Sequence, residues 1–599
     1  MITKINNIKK TCGMVGCGIA AVLAGMSVTG CADFLEIKPQ SEIILEDFWN
    51  EKADVDNIVA GCYSKLQSDN VINRMIIWGE ARSENFMAGS NIDQDGHLEN
   101  ILKENITTKN GYTTWDAFYT VINRCNTVMK YAPGVAEHDP GYTQSELKAT
   151  IAEVSALRDL CYFYLIRTFR DVPYSTVAFT DDDQVMDLAP TPFYDVLDSL
   201  ITDLESIKSN AIRRYPVNKP EYQTGRITQD AIHAMLCEMY LWKKDYEKCK
   251  YYADLVIESK KQLAQERRVA GQSSHIISQA AADVRFNGYP LISDQISGSL
   301  YGNAYEEIFI EGSSQESVFE LNFDDQNAGY SMLGNSAVSV LYGNSQGTKG
   351  RLAPSTAVIE DIGKTSQRTI YADRTKKLDA RMYESSDIDN ECISKYVYRD
   401  VTIDASNANS PNIDWSDKYS ASGNAHYNSS NWIIYRITDI MLLKAEALAQ
   451  QLREGSDTEV VAYNEPILNE AFTLVNAVNK RSVCQSTLID TLQRSDYSTK
   501  AQMEELVLKE RQRELMFEGK RWYDLVRRSL RDGNTEVLCQ AVSKREGING
   551  QYVQNFFASQ TTGLYAIFWP YNDEETKVNL NLAAHQNPAF GSGEENIQK

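Results

Sequence analysis

The sequence predicts a mainly all-α chain, built from paired helices that flank a long irregular insertion carrying a few short strands. Three observations predict it. Apolar residues recur three and four apart through most of residues 46 to 261; Ile151, Val154, Leu157, Cys161, Tyr164, Leu165 and Thr168 lay one such stripe along a helix. Between about residues 262 and 431 that period fades into turns rich in glycine, serine, asparagine and tyrosine. It resumes from Ile433.

At the N-terminus, Lys4, Lys9 and Lys10 precede an uncharged run over residues 11 to 32, the charged and apolar regions of an export signal. Gly13, Gly16, Gly18, Gly25 and Gly30 argue against a membrane-spanning helix there. The run ends in Val28-Thr29-Gly30-Cys31, which resembles the bacterial lipobox. That resemblance implies that residues 1–30 are a lipoprotein signal peptide and that Cys31 is acylated, holding the chain to a membrane through lipid. Asp33 and Glu36 resemble the acidic surface-export tail of some Gram-negative lipoproteins.

Composition excludes several classes. With 82 acidic against 60 basic residues the net charge is -22, a field that repels phosphate backbones, so nucleic acid is not expected as a partner and a neutral or cationic ligand is favoured. The chain is 43% apolar with only 14 prolines, as a folded globular protein should be. Thirty-three tyrosines offer flat apolar faces with hydroxyls, suited to stacking on sugars or peptides, although most are expected in the core. Beyond the N-terminal segment, Cys62, Cys125, Cys161, Cys237, Cys249, Cys392, Cys484 and Cys539 lack the spacing of a zinc knuckle and read as small buried hydrophobes.

The helical pairs come next. In residues 226 to 259, Leu236, Cys237 and Tyr240 mark a first helix, Lys244-Asp245-Tyr246 a turn, and Cys249 and Ala253 a second helix; the pattern resembles a tetratricopeptide repeat. A comparable pair runs from Ile433 to Val483, with Glu446-Ala447-Leu448-Ala449 in its first helix and Asn476, Asn479 and Arg481 in its second. Inside the insertion, residues 317 to 323 alternate like a strand. A long irregular segment in a compact chain is usually functional, so the binding face is expected to draw on it.

Near the C-terminus, residues 510 to 527 are dense in charge. Glu510 with Arg513, Arg511 with Glu514, Glu518 with Arg521, and Asp524 with Arg527 stand three apart, the spacing of ion pairs on one helix face. They read as an architectural lattice rather than as catalytic acids. The string Glu510-Arg511-Gln512-Arg513-Glu514-Leu515-Met516-Phe517-Glu518-Gly519-Lys520-Arg521-Trp522-Tyr523-Asp524-Leu525-Val526-Arg527 closely resembles the signature of the SusD/RagB family of outer-membrane nutrient-binding lipoproteins. Leu157-Arg158 through Tyr164 to Phe169-Arg170-Asp171-Val172-Pro173, the expected central helix from Tyr435-Arg436-Ile437-Thr438-Asp439 to Lys444-Ala445-Glu446-Ala447, and Gln586-Asn587-Pro588-Ala589-Phe590 resemble three further blocks of it. Two departures stand out: Arg170 occupies a position where glycine is common, and Trp569-Pro570-Tyr571 is an unusual version of its segment.

The resemblance implies a surface lipoprotein of the outer membrane that captures oligosaccharide and delivers it to a SusC-like TonB-dependent transporter, without being an enzyme. It implies a SusD-like N-terminal helical region at 32–260, an insertion at 261–431 forming the ligand face, and a C-terminal helical region at 432–599. In such proteins loops after the first helices and the insertion form the ligand face, which nominates Trp78, Arg82 and Asn85 from the first and Tyr289, Tyr301, Tyr330 and Tyr342 from the second. Trp115 and Trp522 sit on strongly periodic helices and are expected in the core. The alternatives are an oligopeptide-binding member of the same family and a surface glycoside hydrolase, which would need two carboxylates about 5 to 9 Å apart.

Other chemistry is weakly signalled, and no cofactor is expected. Gly343-Asn344-Ser345-Gln346-Gly347 matches a nucleophile-elbow string without its strand and helix. Gly363-Lys364-Thr365 ends like a phosphate loop whose glycine-rich start is missing. His97, His138, His233, His275, His426 and His585 include no pair one helical turn apart. Asn91, Asp93, Asp95 and Gly96 follow the start of a calcium loop, but Leu102 stands where the closing acid belongs, so a solvated loop is expected in place of a calcium site.

Overall fold

A computed structural model of the chain describes residues 48–181, 183–269, 286–323, 335–343, 349–359, 378–387, 390–398, 400–407, 411–416, 429–484 and 492–591. Residues 49 to 599 form one unit. The expected fold class holds: helices pack on helices, with short strands in small sheets.

Three long helices and one of two turns build the first layer. α1 (Lys52–Leu66) and α2 (Asp69–Ile76) precede α3 (Asp116–His138) and α4 (Gln144–Phe169), and α3 packs between α1 and α4. Thr143 opens α4 with a capping box, its hydroxyl accepting the Glu146 N–H while the Glu146 carboxylate accepts the Thr143 N–H. From Ala152 onward α4 is buried on every side, more than one apolar stripe implies. Its charged residues can be buried because they are paired: Arg158 with Asp159 at 3.0 Å, and Arg167 with Glu238 at 2.7 Å. The helix ends at Arg170, whose φ of 71° lies in the positive range that glycine adopts most easily, which fits a position where glycine is common.

α5 (Phe193–Ile207) packs on α4 and leads to the first helical pair, α6 (Gln229–Trp242) and α7 (Tyr246–Val269). Lys244, at φ 66°, turns the chain between them. Cys249 packs against Cys237 with the sulfurs 3.7 Å apart, so a small side chain stands where the pair is tightest. All eight cysteines of the described residues are free thiols, seven of them buried.

β1 (Ser317–Leu321) is a strand, as its alternation predicts, and lies antiparallel to β2 (Trp432–Arg436). Both strands are buried on both faces, so the alternation marks no solvent side. Placing Tyr435 and Arg436 in the expected central helix therefore needs correction, because that helix starts only at Ile437. Aromatic and β-branched Trp432, Ile433 and Tyr435 pair with a strand remote in sequence, while Ile434 sits at a bulge and its carbonyl accepts from the Lys520 ammonium. α8 (Ile437–Gln451) then pairs with α9 (Thr458–Ser482), and α7 packs on α8, so the two helical pairs are joined face to face. α10 (Lys500–Leu515) and α11 (Arg521–Asp532) complete the layer. Among the described residues no helix is long and apolar enough to cross a membrane.

Candidate functional site

The charge-rich signature forms a buried network. α10 stops at Leu515 and α11 starts at Arg521; Phe517 (φ 67°) and Gly519 (φ 69°) turn the chain between them. Two of the expected three-apart pairs form, Glu510–Arg513 and Asp524–Arg527, each at 2.8 Å. The other two do not, because the helical spacing is broken or the partner is claimed elsewhere. Arg511 reaches Asp439 and Asp524, both at 2.9 Å, and Arg521 reaches Glu84 at 2.5 Å. Glu514 takes Arg381 at 2.9 Å, Arg436 at 2.5 Å and Arg481. Glu518 takes Lys395 and Arg436, each at 2.7 Å. Burial would raise the Glu514 carboxyl, but Arg481, Arg436 and Arg381 together hold it well below the usual carboxylate range. Paired and inaccessible, these groups are architecture.

The N-terminal ligand candidates belong to the same buried assembly. Trp78 is fully buried, donates its indole N–H to the Tyr112 carbonyl at 2.7 Å, and stacks on Phe118 with centroids 5.0 Å apart. Arg82 pairs with Glu104 at 2.9 Å and lies 4.4 Å over the Trp522 ring. Asn85 donates to Glu80 at 2.7 Å and accepts from Gln512 at 2.8 Å. The structure brings these three together, but against the signature and away from solvent. In the insertion, Tyr342 is buried with its hydroxyl on the Phe517 carbonyl at 2.9 Å, and Tyr301 is buried in a strand paired with Asp400–Asp404. Tyr289 is half-buried against the core around Met441 and Leu474. Tyr330 and Cys31 lie outside the described residues, as do most of the Gly343 string and all of the Gly363 string. All five are buried in this structure, and Trp78, Arg82, Asn85 and Tyr342 have polar atoms paired or hydrogen-bonded within the chain. Trp115 and Trp522 are buried, as expected.

Asp95 is committed likewise. It caps the helix Gly96–Leu102 through the Leu98 N–H at 3.0 Å, accepts from the Tyr112 hydroxyl at 2.6 Å and pairs with Arg351 at 2.8 Å. Among the described residues no group of three metal-ligating side chains converges.

Glu80 joins the two halves of this assembly. Its carboxylate accepts the Phe517 and Gly519 N–H groups, each at 2.7 Å. Burial pushes the carboxyl up to about 7, against the pull of Asn85, the two N–H groups and Lys395. The folded chain thus holds a proton here between pH 4.5 and 7 that an unfolded carboxylate has lost. The resulting stability is full below about pH 4.5 and disappears as pH rises through 7, a change of about 3 kcal/mol. Relative to Glu80→Gln, which does not titrate, the wild type is expected to lose that amount between pH 4 and 8 in denaturant unfolding. A difference independent of pH would show that Glu80 ionises normally.

An open cleft of about 440 Å³ lies elsewhere, beyond the end of α11. Gly533, Asn534, Thr535, Glu536 and Cys539 line one part of it, and residues from Gln554 to Tyr565 another. The helices Glu536–Val542, Gly550–Phe557 and Gly563–Ala566 position them, and the Thr535 hydroxyl ties the two parts together by donating to the Phe557 carbonyl at 2.6 Å. Gln554 and Gln560 are exposed, Leu564 and Tyr565 are a little over one-third exposed, and Glu536 contributes a carboxylate. Arg170, paired with Asp171 at 2.9 Å, stands 4.9 Å from the Tyr565 ring, and Glu536 is the charged group among the lining residues. Such a lining offers amides, hydroxyls and one aromatic face, the groups that bind a polyhydroxylated neutral ligand. Sequence reasoning missed it, although one signal was present: residues 547 to 572 carry no charge in a chain that is 24% charged.

The closing motif secures this region. Gln586 exchanges two hydrogen bonds with the Tyr571 backbone, each at 2.9 Å, and Asn587 donates to the Tyr565 carbonyl at 2.9 Å.

Comparison with known proteins agrees with this architecture. The SusD family model matches residues 315–590, and a second model, described as starch-binding associating with outer membrane, matches residues 33–241. Two SusD-like proteins of Formosa agariphila are 25% identical over 517 residues (84% of this chain, 88% of the relative) and 23% identical over 530 residues (86% and 90%). The crystal structure of a SusD superfamily protein from Bacteroides thetaiotaomicron VPI-5482 shares the fold with a TM-score of 0.59, 20% identity and coverage of 90% of this chain and 99% of that one. B. fragilis NanU does so with a TM-score of 0.55, 17% identity and coverage of 93% and 100%. With both halves matched and the signature in place, the chain belongs to the SusD/RagB family, whose proteins associate with the outer membrane and bind glycans.

Proposed function

We propose that this chain captures oligosaccharide at the outer-membrane surface, held there by acylated Cys31, and delivers it to a SusC-like TonB-dependent transporter. The match of its N-terminal region to the starch-binding family model carries the reading. The cleft beside Tyr565, lined by amides and hydroxyls with a single carboxylate, adds a place where glycan can sit. It acts by binding, not by hydrolysis: the cleft lining holds one carboxylate, Glu536, where glycosidic cleavage needs a facing pair.

Titration calorimetry of residues 32–599 against neutral oligosaccharides tests this. Micromolar to millimolar binding to at least one glycan is expected, weakened about tenfold, or ~1.4 kcal/mol, by Tyr565→Ala. Unchanged affinity in that variant would move the site away from the cleft. No heat with any glycan, together with binding of oligopeptides, would favour the peptide-binding alternative.

A further inference from the structure

Four large apolar side chains stand together in water: Val185 is 70% exposed, Met186 57%, Val578 78% and Leu580 74%. They come from two segments tied to each other, since Asn579 donates to the Leu188 carbonyl at 2.8 Å and Asn581 to the Asp187 carbonyl at 2.6 Å. The intervening Asn579 and nearby Leu582 are buried, so the short helices Asp573–Val578 and Leu580–Ala583 turn one side inward and leave Val578 and Leu580 outside. The four side chains expose a few hundred Å², the size at which apolar surface on a monomer marks an interaction site. Acidic residues flank them along both segments: Asp181, Asp183, Asp187 and Glu574 are exposed and Asp573 is half-exposed. The nearby Lys577 is paired with Glu574 at 2.5 Å.

We propose that this patch docks a protein partner whose matching surface is an apolar recess rimmed by lysine and arginine. Charge chooses the occupant. A second copy of the chain would set one acidic rim against another, and an anionic lipid surface is repelled by the rim and by the net charge of -22. An apolar centre with a charged rim is the usual anatomy of a protein interface, and the rim steers a basic partner into place. The patch shares no residue with the cleft beside Tyr565, so the inference stands or falls apart from glycan capture.

The test places a photo-crosslinking amino acid at Met186, and separately at Leu580, in the full chain in its native host. Tyr251 on α7, 56% exposed, serves as a position outside the patch. The expected result is an adduct with the same protein from both patch positions and none from Tyr251, joined to partner peptides in which apolar residues neighbour lysine or arginine. Asp187→Lys combined with Glu574→Lys is expected to cut the adduct yield at least fivefold, with the circular-dichroism melt unchanged. Adducts with lipid, with a second copy or with residues 1–47 of the same chain would overturn the proposal. So would no adduct, partner peptides without basic residues, or an unchanged yield in the charge-reversed variant.

Discussion

Glu514→Ala is expected to cost about 3–5 kcal/mol of folding stability, the loss that follows when one partner of a buried ion pair is removed and the others stay behind. Glu514 is 1% exposed and meets three guanidinium groups from three elements: Arg381 from the insertion, Arg436 at the end of β2 and Arg481 near the end of α9. Each arginine keeps another acid, namely Asp379 and Glu510 for Arg381, Glu518 for Arg436, and Glu316 for Arg481. What alanine removes is the anion at their meeting point, and three cations then face one another in low dielectric. The effect also has a pH signature. The Glu514 carboxyl is held well below its usual range, so its stabilisation is present above the unfolded carboxylate pKa and lost as pH falls through the folded one. The wild type should therefore keep its full advantage over the variant at neutral pH and lose it only in strong acid. Denaturant unfolding at pH 7 checks the magnitude; a loss below about 1 kcal/mol would mean that the arginines rearrange onto their remaining acids.

The same residues show what the sequence could and could not reveal. Spacing alone identified residues 510 to 527 as an ion-pair lattice, and the lattice is there. It also implied an unbroken helix, which fails because Glu80, more than 400 positions upstream, accepts the Phe517 and Gly519 N–H groups and stabilises a turn. No local period encodes a partner at that distance. The burial of Trp78, Arg82 and Asn85 is illegible for the same reason: their partners Tyr112, Glu104 and Gln512 become visible only once the chain is folded. Arg170 was legible as a departure from glycine but not as a strained residue, since a positive φ is a property of the folded turn. The helical pairs, by contrast, depend on periods of three and four that any window displays. The cleft was half legible: its uncharged run stands out, but the juxtaposition of residues 533–536 with 554–565 requires the hydrogen bond from Thr535 to Phe557.

Gly79→Ala is expected to be at least as damaging, by a different route. A Cβ built on Gly79 would lie 1.9 Å from the Gly519 carbonyl oxygen and 2.6 Å from its carbon. Both atoms are backbone, so no rotamer change relieves the clash; the segment Ile77–Ala81 must separate from residues 516–520. That separation pulls the Glu80 carboxylate off the Phe517 and Gly519 N–H groups and disturbs Glu518, which holds Lys395 and Arg436. Ordinary overpacking costs about 1–3 kcal/mol, and a backbone clash at the junction of two buried networks should exceed it. Gly134→Ala makes the matching control. Gly134 lies in α3 with nothing within 4 Å of an added Cβ, so the same methyl group should stabilise by up to about 1 kcal/mol through helix propensity. Thermal melts of the two variants should therefore move in opposite directions. If Gly79→Ala melted within a degree or two of the wild type, the close approach of Gly79 to Gly519 would not be what joins the N-terminal helices to the signature.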